Sequence, residues 1–277
     1  MVSPTLRRKT LGAELRRLRI ERGASIEEIA KLLGCSSGKV SHFETGRNAP
    51  SKAELIVLMG HYKVPADQQE VLEETREEAR KRGWWSTYRL PPWFQDYVGM
   101  EADAIRVRTF ELELIPGLLQ TESYARAINV IGSHMTEPSE VDRKVAARLR
   151  RQQRLNDQDP LELHAVVSEA ALYRCADPAI AVDQLTRLIE ASERPNITIQ
   201  ILPFSAGFHE SVSGSFALLD FPPDTWPSSA YQEYAVGGHL VDDTGAVTAL
   251  GTVFERLRTR ALDEQQSKEL IAQHRGK

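Results

Sequence analysis

Only two cysteines, Cys35 and Cys175, occur in 277 residues, and they form no C-x-x-C pair. That excludes a disulfide framework and a cysteine-built zinc cluster, and a reducing cytoplasm is the expected compartment. No run of about 18 apolar residues is present, which excludes a conventional membrane-spanning helix. The opening MVSPTLRRKTLGAEL has basic residues but no apolar stretch after them, so it does not read as a secretory leader. The seven histidines show no H-E-x-x-H or other metal spacing. Gly34-x-x-x-Gly38-Lys39-Val40 is one residue short of a phosphate loop, lacks the Ser/Thr for magnesium and follows no strand. Asn196-Ile197-Thr198 is a glycosylation pattern in a chain with no other sign of secretion. No nucleophile elbow, paired-carboxylate motif or cofactor fingerprint appears. His209, Glu169 and Glu233 are the thin remaining material for catalysis. The expectation is a chain that is not an enzyme and needs no cofactor or metal.

What is present is ordinary for a folded protein: 41% hydrophobic and 27% charged residues. The length predicts two domains, each able to bury a core without staples. The net charge of −4 hides an asymmetry. Residues 1–65 carry 12 Lys+Arg against 6 Asp+Glu, a net of +6, so the remainder carries −10. A basic head on an acidic body is the layout of a regulator with a nucleic-acid-binding module.

The head reads as five helices over residues 1–82. Leu11, Leu15 and Leu18 define the first, stopped by Gly23. Ser25 caps the second, SIEEIAKLL, with Glu28 completing a capping box and Ile26, Ile29, Ala30 and Leu33 facing inward. Gly34 ends it. Ser36 caps a third helix to Glu44, with Val40 and Phe43 inward and Gly46 as its stop. Ser51 caps a fourth over 52–62, and Pro65 opens a fifth to about Arg82.

Residues 83–98, with Trp84, Trp85, Trp93 and Pro91-Pro92, carry too much aromatic surface for a solvated linker. They read as a boundary segment packed onto the second domain. A base-stacking platform is the alternative, with Arg89 as its one nearby cation. Residues 99–277 then form an α+β domain around a mixed or antiparallel sheet. Helices are expected at 95–106, 121–131, 139–155, 178–193, 243–261 and 263–274. Strands are expected at 161–168, 197–203, 215–221 and 230–236. The helix at 139–155, with Arg143, Lys144, Arg148, Arg150, Arg151 and Arg154, reads as a solvated face or a second DNA contact. Val247, Leu250, Phe254 and Leu257 form an apolar stripe on the penultimate helix, part of it available to a partner.

Three residues in the head carry the functional reading. Ala30 is small, where two helices cross closely. Gly34, four residues on, can take positive φ in the short turn. Val40, ten residues after Ala30, anchors a third helix whose outer face stays polar. This is a helix-turn-helix pattern. Its geometry offers Ser37, Gly38, Ser41 and His42 to base edges, of which His42 alone could make a strong polar contact. Ser36, Lys39, Arg47 and Asn48 are placed for the phosphate backbone, as are Arg16 and Arg17 near the first helix.

Residues 11–62, LGAELRRLRIERG followed by SIEEIAKLLGCSSGKVSHFETGRNAPS, resemble the Cro/CI-type, or Xre-family, helix-turn-helix domain. Glu44, Gly46, Arg47 and Pro50 match the family's ending to its recognition helix. One position departs: Ile26 stands where the family often has a phosphate-contacting glutamine. IPGLLQTESYARA (115–127), RLRRQQRL (148–155), ITIQILPFSAGFH (197–209) and FALLDF (216–221) resemble the WhiJ-like regulators of actinobacteria. That resemblance implies a developmental or antitoxin-like transcription regulator with double-stranded DNA and a small BldB-like protein as partners, and no membrane association. A homodimer is expected, with the larger domain, through its strand edges and apolar stripe, as the dimerising or partner-docking module. A ligand-sensing regulator and an enzyme with a DNA-targeting head are the rival readings. A pocket with convergent, pKa-shifted groups in residues 95–262 would distinguish them.

Overall fold

The computed structural model describes residues 2–131, 137–175 and 177–275. The chain forms two compact units, residues 1–86 and 87–277.

The first unit is all-α: α1 (Pro4–Glu21), α2 (Ile26–Leu33), α3 (Ser37–Glu44), α4 (Lys52–Tyr62) and α5 (Ala66–Arg80). The expected serines cap their helices. Ser25 and Ser51 each form a capping box with a glutamate three residues on, Glu28 and Glu54. Ser36 Oγ accepts the Lys39 backbone N–H. Each such cap satisfies an orphan donor and is worth about 1 kcal/mol. Helix α1 starts seven residues earlier than the leucine spacing indicates. Ser3 caps it and Pro4 sits at its first position, where a missing N–H costs nothing. Leu11, Leu15, Ile29, Val40, Phe43, Leu55 and Leu58 meet in one core. Burying each such side chain contributes roughly 1.5–3 kcal/mol. Ala30 is buried there, and Ile26 and Leu33 pack half-buried at its edge.

The second unit is α+β, as expected. It comprises α6 (Pro92–Glu101), β1 (Arg106–Glu111), α7 (Glu122–Ile131), α8 (Pro138–Gln152), β2 (Glu162–Ser168), α9 (Ala170–Tyr173), α10 (Pro178–Ser192), β3 (Ile197–Leu202), β4 (Phe216–Asp220), β5 (Ser229–Tyr234), β6 (Gly237–Val241), α11 (Thr244–Arg260) and α12 (Glu264–Arg275). Six strands form one mixed sheet in the order β3-β2-β1-β4-β5-β6. The pairs β1–β2 and β2–β3 are parallel; β1–β4, β4–β5 and β5–β6 are antiparallel. Two strands, β1 and β6, fall where none was expected, and the helix expected to run to 106 ends at Glu101.

Helix α11 covers one sheet face. Val247, Phe254 and Leu257 pack against Phe110, Val166, Leu218 and Ala230, with Leu250 at the margin. Val247, Phe254 and Leu257 are therefore core, and of the stripe only Leu250 keeps part of its surface exposed. The other face carries Val107, Thr109, Glu111, Ala217 and Tyr231. Among the tryptophans of the expected boundary segment, Trp84 and Trp85 fall in the first unit and Trp93 in the second. No helix among the described residues is long and apolar enough to cross a membrane.

Candidate nucleic-acid interface

Helix α3 has one fixed face and one free face. Val40 and Phe43 are buried in the core of the bundle. Ser36, Ser37, Gly38 and Lys39 are exposed, and Ser41 and His42 are half-buried. The turn before it depends on Gly34, whose φ of 63° is left-handed, a conformation that costs other residues about 1 kcal/mol or more.

The far end of α3 is clamped. Glu44 accepts two hydrogen bonds from Arg19 of α1, at 2.6 and 2.9 Å, and Arg19 also donates to the Ala24 carbonyl at 2.8 Å. One guanidinium thus joins α1, the turn before α2 and the last residue of α3. Both side chains are largely withdrawn from solvent, so this bidentate pair is stronger than an exposed one. Beside it, Gly12 brings the α1 backbone against the carbonyls of Phe43 and Glu44. These contacts fix the direction in which α3 points. The spacing rule missed both Gly12 and Arg19. Their partners lie about 30 residues away, and neither residue type marks the contact by itself.

The expected backbone-contacting residues divide by their present engagements. Among the described residues Arg16 and Arg47 have no ion pair, and both are exposed; Asn48 is exposed as well. The Asn48 backbone N–H donates to the His42 carbonyl at 3.0 Å, turning the chain back along α3. Lys39 is held by Glu54 at 2.5 Å, which keeps its ammonium protonated above the usual range. Arg17 lies between Glu14 and Glu21. Pairs this exposed are weak, so a phosphate can displace any of these three carboxylates. Ile26, at the start of α2, packs against the core, and its side chain offers no hydrogen bond to a phosphate.

The second unit holds a different feature. A cavity of about 640 Å³ lies on the sheet face opposite α11, between β1, β5, the 114–120 segment and α8. Three buried glutamines order that segment. Gln120 donates to the Ile115 carbonyl, Gln152 to those of Gly117 and Gln120, and Gln184 to that of Leu119. The IPGLLQ and RRQQ stretches therefore fold against each other. Helix α8 is not a simple solvated face. Arg151 is buried and bidentate to Glu101 at 2.7 and 2.6 Å, while Arg148 lines the cavity. Glu111, enclosed on the cavity wall, has its carboxyl pushed up to about 7, chiefly by burial. Of the thin catalytic candidates, Glu233 lines this cavity. Glu169 instead accepts the Phe204 backbone N–H, and the His209 ring lies edge-on to Phe110.

A capped α3 with an exposed polar N-terminal end, on a tight turn from α2, defines the protein as a DNA-binding regulator of the helix-turn-helix class. Residues 10–72 match a helix-turn-helix domain family. Residues 94–273 match the family described as "Domain of unknown function (DUF5753)", and since that match spans well over half of the chain, the chain belongs to this family. No curated protein and no solved structure matches it.

Proposed function

We propose that the protein is a sequence-specific transcription regulator whose α3 enters the major groove. The observation that carries this reading is the two-sided α3. Val40 and Phe43 hold one face in the core, while Ser36, Ser37 and Gly38 stand exposed at its N-terminal end. That end is where a recognition helix meets DNA. Ser37, Gly38, Ser41 and His42 are assigned to base edges, and Ser36, Lys39, Arg47, Asn48, Arg16 and Arg17 to phosphates. Selection of bound duplexes from a random pool by the full chain tests this. One enriched motif is expected, with affinity falling steeply as salt rises. An unenriched pool would overturn the sequence-specific reading.

We further assign the protein to the Xre-type, WhiJ-like group of actinobacterial regulators, acting in the cytoplasm as a homodimer. Two heads would then place their recognition helices ~34 Å apart to read half-sites one turn apart. In this reading the second unit dimerises or docks a small BldB-like protein, in a developmental or antitoxin-like role, and performs no catalysis. Light scattering of the full chain, alone and with such a partner, tests this part. The cavity favours a second role for the same unit, ligand sensing. Its size is that of ordinary small-molecule sites.

A further inference from the structure

Arg148 is the group in the cavity wall that the fold leaves unfinished. One terminal nitrogen donates to Gln120 Oε1. Its Nε is buried and has no hydrogen-bond partner among the described residues. No carboxylate lies within ion-pair distance of it there, although the same helix supplies Arg151 with a bidentate partner in Glu101. Burial and the neighbouring Arg151 charge lower its pKa to about 10, so it remains cationic at neutral pH. Glu233 and Glu111 offset part of that penalty at a distance, but a half-buried guanidinium whose Nε is buried without a partner is still costly, and an anion entering the cavity would remove that cost.

The remaining lining limits which anion fits. Glu233, and Glu111 once it loses its proton, face the same space and repel a second negative charge. Tyr231 already donates to Glu233 at 3.0 Å. Lys144 is engaged by Glu140 at 2.8 Å. A dianionic phosphate therefore finds one unpaired guanidinium and two acids. A monocarboxylate meets the guanidinium with a single charge. Val107, Leu163 and Ala217 supply apolar wall for a hydrophobic body. Glu111 and Glu233 supply acceptors for a hydroxyl or amino group.

We propose that this cavity is an effector site for a small organic monocarboxylate with an apolar body bearing a hydroxyl or amino group, held by Arg148. The effector role rests on the regulator reading; the binding itself does not. Calorimetry on the full chain separates them. The probes are 12-hydroxydodecanoate, 3-phenyllactate and phenylalanine, each beside its primary amide, with inorganic phosphate as a further arm. At least one acid should bind one-to-one, at least tenfold more tightly than its amide and than phosphate. Arg148→Met should abolish that preference, and Arg148→Lys should retain part of it. If Arg148→Met does not fold, the acid-to-amide ratio in the unaltered chain decides alone. No binding by any of the three acids, equal binding of acid and amide, tighter binding of phosphate, or an unchanged ratio in a folded Arg148→Met would overturn the proposal. A chain that binds a selected duplex but none of the acids would lose the effector site and keep the regulator reading.

Discussion

The α-carbon of Gly12 faces the carbonyl oxygen of Phe43 so closely that a β-carbon there would lie 2.4 Å from it. Helix α1 can approach the end of the recognition helix only because position 12 carries no side chain. Gly12→Ala should therefore destabilise the protein by about 1–3 kcal/mol, the usual cost of overpacking, and DNA affinity should fall with it. Gly60, in α4, has open space around its α-carbon. Gly60→Ala should raise stability by roughly 0.5–1 kcal/mol through helix propensity alone. Paired thermal melts check both signs.

Arg19→Met should be the most damaging change in the head. It leaves Glu44 largely buried without its guanidinium, and breaking a buried pair from one side costs about 3–5 kcal/mol. Urea unfolding of the variant beside the unaltered protein measures it. A loss below about 1 kcal/mol would show the clamp to be weak.

Arg47→Ala and His42→Ala should fail differently. Arg47 is exposed and unpaired among the described residues. Its loss should weaken binding to every duplex alike and lower the salt slope. His42→Ala should flatten preference at one or two base pairs, at a cost of roughly 1–3 kcal/mol. Binding to a set of single-base variants of the selected site distinguishes the two.

Glu111 gives the cavity a pH signature. Burial raises its carboxyl from the usual 4.5 to about 7; Glu233 raises it further, while Arg148 and the Thr109 and Ser215 hydroxyls act the other way. The folded protein thus holds a proton that the unfolded chain releases from about pH 4.5 upward. This group's contribution to stability falls as pH rises from about 4.5 to about 7 and is level above that. Glu111→Gln has no such dependence. Its stability relative to the unaltered protein, measured by urea unfolding, should climb across that window by on the order of 1–3 kcal/mol and then plateau. A difference independent of pH would contradict the assignment.

The helices of the head were legible because their punctuation is local. Ser25, Ser36 and Ser51 cap by bonding to residues three positions away. The start of α1 was also written locally, in Ser3-Pro4, but the leucine spacing drew the boundary too late. Strand β1 was hidden for a different reason. Arg106 and Arg108 interrupt its apolar pattern, and their partners Glu162 and Asp220 lie on neighbouring strands, distant in sequence. Strand β6 begins Gly237-Gly238, a poor strand former by propensity. A β-carbon on Gly238 would lie 2.5 Å from the Tyr231 hydroxyl oxygen, so packing decides against propensity there. The cavity could not be read at all. Glu111 and Arg148 come from a strand and a helix that neither spacing nor composition relates.

The most direct test of the central claim uses Ser37→Glu in the full chain. Ser37 is exposed at the first position of α3. An acidic residue there suits the helix dipole and should hold or slightly raise the melting temperature. The same carboxylate would face phosphate if α3 docks in the major groove. Fluorescence anisotropy with a selected duplex should show at least a tenfold loss of affinity in a variant that melts no lower than the unaltered protein. Undiminished affinity in that variant would contradict the placement of α3 at the DNA.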